Sequence, residues 1–98
     1  MNIPRLKEIV APLCREYNVR RLDIFGSTAQ GLDTEDSDID LLVDFRDPRF
    51  KPAGRFFGLL HQLEDIFQRG VDLYTYRGLR NPYFRERVLK ERRPLYEG

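Results

Sequence analysis

Tryptophan is absent from this chain, and cysteine, histidine and methionine occur once each. With Cys14 alone no internal disulfide can form, which fits a reducing compartment. With His61 as the single histidine, the usual donors of a zinc centre are missing. No run approaches the ~18 consecutive apolar residues that read as a membrane span, and the opening Asn2-Ile3-Pro4-Arg5-Leu6-Lys7 holds no apolar segment of signal-peptide length. A cytoplasmic protein is expected. The net charge is +1, so no global field pulls the chain toward nucleic acid or a membrane surface, and direct nucleic-acid binding is not expected.

What is present points to a folded protein. Hydrophobic residues make up 41% of the 98 positions, with seven Phe and five Tyr, a composition that excludes a disordered chain. One domain over residues 1–98 is expected, burying roughly 60–70% of the surface of the unfolded chain. Acids gather at Asp33, Glu35, Asp36, Asp38, Asp40 and Asp44. Bases gather between Arg77 and Arg93, with a smaller group at Arg46, Arg49, Lys51 and Arg55.

Apolar spacing lays out the elements. Leu6, Ile9, Val10, Leu13 and Tyr17 recur at helical intervals, giving a helix over 3–17 that starts at Asn2 and Pro4 and closes in a left-handed turn at Asn18. Residues 20–25 alternate as a strand, 26–37 read as a loop with room for one helical turn after Ser27, and 38–45 are a second strand. Phe56, Leu59, Leu60, Leu63, Ile66 and Phe67 mark a helix over 55–68, with Gly70 as its stop. Residues 71–75 are a third short strand, and Asn81-Pro82 opens a last helix that ends before Pro94. The fold class is α+β: a small mixed sheet of about three strands covered by helices.

The stretch from Phe25 to Phe45 carries the chemistry. Gly26-Ser27 forms a small-residue turn just after an apolar strand. Asp38 and Asp40 stand at alternate positions at the start of the next strand, so their side chains share a face about 6–7 Å apart along the chain. Two carboxylates on one face repel unless a cation sits between them or water surrounds them, and Ile39, Leu41, Leu42 and Val43 read as a buried strand, so a divalent metal is the economical reading. The turn offers backbone N–H groups and the Ser27 hydroxyl to phosphate oxygens, with Gly26 allowing close approach. Ser27 also suits a helix N-cap, a role compatible with anion binding. Asp72, between Val71 and Leu73, is the third acid and would need a partner if buried. Asp44 shares the parity but lies about 13 Å past Asp40 and reads as a strand-end surface residue. Ser37 is placed to steady the carboxylates, His61 reads as a partly exposed helix residue, and Cys14 as a small buried thiol. Arg85, Arg87, Lys90, Arg92 and Arg93 give the last helix a basic face, suited either to solvent or to an acidic partner or to the phosphates of a ligand held at the turn.

Gly26-Ser27 followed by Asp38-x-Asp40 and then Asp72 resembles the signature of the nucleotidyltransferase superfamily that includes DNA polymerase beta and the kanamycin nucleotidyltransferases. At this length the chain looks most like the minimal nucleotidyltransferases, the MntA-like antitoxins paired with HEPN-domain toxins. The likeness covers nearly the whole chain. It implies the polymerase beta-like fold and transfer of AMP from ATP to a tyrosine hydroxyl of a HEPN ribonuclease partner, which silences that toxin. It further implies two magnesium ions about 3.5–4 Å apart, with Asp38 and Asp40 bridging both, Asp72 binding the catalytic ion and accepting the acceptor's proton, and Gly26 and Ser27 gripping the β- and γ-phosphates. One departure is Ala29-Gln30-Gly31 where members often have Ala-Arg-Gly, read as a tuning of activity. Three other readings remain open: an antitoxin that neutralises by binding alone, a small-molecule nucleotidyltransferase, for which the chain has no second domain, and a metal-dependent phosphohydrolase.

Overall fold

The computed structural model describes residues 2–98. In chain order the elements are α1 (Ile3–Glu16), β1 (Val19–Phe25), α2 (Gly26–Ala29), β2 (Ile39–Phe45), α3 (Pro52–Phe67), β3 (Val71–Thr75), α4 (Pro82–Glu91) and β4 (Arg93–Glu97). One four-stranded sheet runs in the order β3-β2-β1-β4. β1 is antiparallel to both β2 and β4, and β3 is parallel to β2. The helical segment α3 makes the long crossover that a parallel pair requires.

Period-two alternation gives each sheet face its own cover. Leu22 and Ile24 of β1, with Ile39, Leu41 and Val43 of β2, face α1 and α3 and pack with Leu6, Val10, Leu13, Leu59 and Leu63. Each fully buried Leu or Ile there contributes about 1.5–3 kcal/mol relative to exposure. The other face carries Phe25 and Leu42 and is covered by Leu79 and by Val88, Phe84 and Leu89 of α4. α4 is the smaller lid, and it leaves the β3 side of this face open where Asp72 lies.

Local chemistry explains the helix limits. Asn2 caps α1, its side chain accepting from the Arg5 N–H at 3.1 Å, and Asn18 takes the left-handed turn beyond it with φ 56°. Asn81 caps α4 by accepting from the N–H groups of Tyr83 and Phe84. Three features differ from the sequence reading. α3 begins at Pro52, three residues early, and its left-handed stop is Gln68 with φ 54°, not Gly70. The sheet has four strands, because Arg93–Glu97 adds to the free edge of β1. Arg92 and Arg93 accordingly lie beyond the last helix, and its exposed basic face reduces to Arg85, Arg87 and Lys90.

Among the described residues no helix is long and apolar enough to cross a membrane. Cys14 is fully buried, and burial pushes its thiol up to about 12 against the opposing pull of Arg15, so it stays protonated and unreactive.

Candidate active site

All five residues picked out by the sequence meet at one end of the sheet. β1 ends at Phe25, which pairs with Asp40, so the turn that follows lies directly beside the start of β2. On the other flank, parallel pairing sets Asp40 opposite Asp72, and paired residues of neighbouring strands project to the same face. Asp38, one residue before β2, is brought to the same end by the Ile39 N–H, which donates to Gly70 O at 3.0 Å.

Two glycines let the carboxylates settle. Gly26 has φ +71°, and a Cβ there would collide with Asp40 Oδ2; the carboxylate of Asp40 therefore rests on the Gly26-Ser27 turn. A Cβ at Gly70 would collide with Asp38 Oδ1. Asp38 thus leans toward the start of β3 and Asp40 toward the start of α2. Gly70 thus makes room for Asp38, while the left-handed helix stop is Gln68. Among the described residues no three His, Cys, Asp or Glu side chains already converge at metal-binding spacing.

Electrostatics single out Asp40. It is half-buried, and burial pushes its carboxyl above the usual range; the charges of Asp72 and Asp38 push it further, and Asp72 also acts as a hydrogen-bond partner. Asp38 and Asp72 are exposed. Asp72 is not buried, so the condition under which it would need a partner does not arise; water reaches it, and it stands opposite Asp40. Ser27 is half-buried in the first turn of α2; the residue at the N-cap position is Phe25, which makes no side-chain cap, so the Ser27 hydroxyl is not used in that way.

Other side chains complete the site in ways the sequence did not disclose. Tyr74 follows Asp72 on the same face. Its ring packs against Phe25 and Phe84 with centroids 5.7 Å and 5.8 Å away, and burial, then Asp72 and Asp40, hold its hydroxyl protonated above the ordinary tyrosine range. The same two-residue spacing that marks Asp38 and Asp40 could have flagged it. Arg69 clamps the acid-bearing loop: its guanidinium donates to Ser37 O at 2.9 Å, to Thr34 O at 2.8 Å and to Asp33 Oδ2 at 3.0 Å. The bond from Arg69 holds the Asp33 carboxyl below its usual value. Ser37, expected to steady the carboxylates, instead accepts from the Thr34 N–H at 3.0 Å and exchanges a hydrogen bond with Thr34 Oγ1.

Deeper on the same face Asp23 is fully buried, although it reads in the sequence as the polar half of an alternating strand. Arg21 Nε holds it at 2.9 Å and 3.1 Å, and Arg92 reaches it at 3.5 Å while also bonding Tyr76. This polar knot ties the end of α4 to the sheet. Asp44 pairs with Arg20 at the far end of β2, and His61 is exposed on α3, as the sequence suggested for both. A cavity of about 400 Å³ lined by Val43, Phe45, Pro48, Pro52, Phe56 and Thr75 lies at that far end as well, away from the acids.

A glycine-serine turn after one strand, with acids at the start of the next two, sets backbone N–H groups suited to phosphate oxygens beside carboxylates suited to a divalent cation. A family model described as the nucleotidyltransferase domain matches residues 6–95, and the chain belongs to that family. It is 35% identical over 91 residues to a Methanocaldococcus jannaschii protein named “Putative protein adenylyltransferase MJ0435”, covering 93% of this chain and 95% of that one. A solved structure described as a “putative minimal nucleotidyltransferase” superposes with a TM-score of 0.78 at 37% identity, covering 96% of each chain. The fold is shared as well, at 19% identity and a TM-score of 0.64, with a structure of a tri-AMPylated Shewanella oneidensis HEPN toxin in complex with MNT antitoxin, covering 99% of this chain and 74% of that one.

Proposed function

We propose that this nucleotidyltransferase moves AMP from magnesium-bound ATP to a hydroxyl of a HEPN-domain toxin, a tyrosine hydroxyl, and so acts as that toxin's antitoxin in the cytoplasm. The observation that carries the reading is the meeting of Asp38, Asp40 and Asp72 with the Gly26-Ser27 turn at one end of the sheet. The name of the archaeal relative and the AMPylated toxin held by a protein of the same fold support it.

Magnesium suits the donor set. Three carboxylates share one end of the sheet, and burial first, then like charge, already disfavour the ionised form of Asp40; hard oxygen donors of this kind are what Mg²⁺ takes. Asp38, Asp40 and Asp72 would hold it, Asp38 and Asp40 by turning their side chains toward each other from their resting positions on Gly70 and Gly26. When bound, the metal would neutralise the triphosphate and the charge that develops on it.

The chain's own residues supply the rest. Backbone N–H groups of the Gly26-Ser27 turn and the Ser27 hydroxyl would bind the β- and γ-phosphates. The acceptor oxygen forms its bond to the α-phosphorus as the bond to the β-phosphate oxygen breaks, and pyrophosphate leaves. The acceptor proton passes to an Asp72 carboxylate oxygen, which is solvent-exposed. Intact mass spectrometry of the HEPN protein encoded beside this chain, incubated with the chain, ATP and magnesium, tests the reading. The expected result is a mass gain of one or more adenylyl groups that Asp40→Asn abolishes. An unchanged mass with the wild-type chain contradicts it.

A further inference from the structure

The strand order leaves two sheet edges, and they are built differently. β4 carries Pro94, has a register slip against β1 between Leu22 and Asp23, and exposes Arg93 and Glu97; proline, irregularity and charge are what discourage another strand from adding. β3 is less protected, its one charged residue being Asp72. It runs in unbroken register with β2, without proline, and α3 packs beneath it.

Its outer hydrogen-bonding groups are free. The Ile39 N–H donates to Gly70 O while Ile39 pairs with Val71. In a parallel ladder this turns the N–H and C=O of Asp72 and Tyr74 inward to β2, and those of Val71 and Leu73 outward. Among the described residues neither Val71 nor Leu73 makes a backbone hydrogen bond outside the sheet. The edge closes at Thr75, whose carbonyl accepts from the Gly78 N–H at 3.0 Å. Just beyond stand Arg77 and Arg80, both exposed and without an ion pair among the described residues.

We propose that the outer edge of β3 is the docking strand for the acceptor polypeptide, which adds to it in extended, antiparallel form with a hydroxyl side chain opposite Asp72 and acidic residues against Arg77 and Arg80. This rests on the transfer activity proposed above. Because Asp72 turns its own backbone groups inward, the residue across from it forms a non-hydrogen-bonded pair, the closer kind, with Cα atoms about 4.5 Å apart. Its side chain emerges on the face of Asp72 and Asp40. Main-chain bonds to Val71 and Leu73 supply register, and the arginines supply direction by pairing with acids upstream of the hydroxyl residue.

The test uses the acetylated heptapeptide Glu-Glu-Val-Thr-Val-Tyr-Val, which in this register sets its tyrosine opposite Asp72 and an acid opposite Arg77. Amide hydrogen exchange is measured on the wild-type chain with and without it. The expected result is at least tenfold protection of the Leu73 amide when peptide is added; an unchanged Leu73 rate overturns the proposal. The second arm is Leu73→Pro, which removes an outward N–H and no bond to β2. It should lower adenylyl transfer to the peptide at least tenfold while magnesium-ATP affinity, read by calorimetry, stays within twofold; transfer at the wild-type rate also overturns the proposal. Should the variant fail to fold, the exchange measurement on the wild-type chain decides alone. Absence of magnesium-ATP binding by the wild-type chain would count against the transferase reading, whereas the Leu73 exchange reports on the edge itself.

Discussion

Asp40 is the residue at which fold and chemistry pull hardest against each other. It is half-buried on a core strand with Asp72 opposite and Asp38 two residues away, and its carboxyl is raised above the usual value by burial first and by those charges second. Protonation is thus easier in the folded chain than in the unfolded one. Its favourable contribution is fully present below the unfolded value of about 3.9 and is lost as the pH climbs through the raised value. In the metal-free protein Asp40→Asn should therefore melt at or above the wild-type temperature at pH 7, with the difference vanishing near pH 3.5, while transfer is abolished. A variant that melts well below wild type at neutral pH would mark the acid as a structural partner. The two glycines separate strain from crowding. Gly26→Ala meets both the Asp40 carboxylate and a left-handed φ of +71°, a strain of about 1–3 kcal/mol for a residue with a side chain, so stability and transfer should fall together. Gly70→Ala meets only the movable end of Asp38; thermal melting should change little while metal affinity drops. Equal melting losses in both would remove the distinction.

At the scale of elements, the segment between α2 and β2 is tied to the strand beyond α3 by the Arg69 side chain. Arg69 spans Asp33, Thr34 and Ser37 from the turn before β3, so it couples the loop that delivers Asp38 to the strand that delivers Asp72. Arg69→Ala should cost about 1–3 kcal/mol, the range for leaving polar groups without partners. It should also raise amide exchange across residues 33–37 and lower transfer by more than the stability loss explains; exchange unchanged in that segment would show the clamp to be idle. α4 presents Arg85, Arg87 and Lys90 to solvent, with Arg87 over the Phe84 ring at 5.7 Å. Reversing the three to Glu should slow association with an acidic partner and flatten its salt dependence, since rim charges act mainly on encounter rate. Lost ATP binding at an unchanged association rate would place these bases on the nucleotide instead.

Across the whole molecule, the parts legible in the sequence are those set by local periodicity. α1, the first three strands, the body of α3 and the start of α4 follow from spacing and caps, and Gly26, Ser27, Asp38 and Asp40 from a turn and a two-residue alternation. What was not legible depends on who sits next to whom. Arg93–Glu97 has a proline and a charge at each end and becomes a strand because β1 offers it an edge. Asp23 looks like a solvent-facing strand residue until α4 delivers Arg92 over it. Arg69 carries no signal of its own, and Tyr74 only its two-residue spacing from Asp72; both gain their roles from the pairing of β2 with β3. Gly70 sits where a helix stop belongs, yet its missing side chain makes room for Asp38.

The central claim is that the acids at the end of β2 and β3 work through a divalent cation with ATP. Calorimetric titration of ATP into the protein, once in magnesium and once in EDTA, tests it most directly. The account predicts binding with magnesium and none measurable in EDTA, because three uncompensated carboxylates repel a triphosphate. Equal affinity in the two buffers would contradict it.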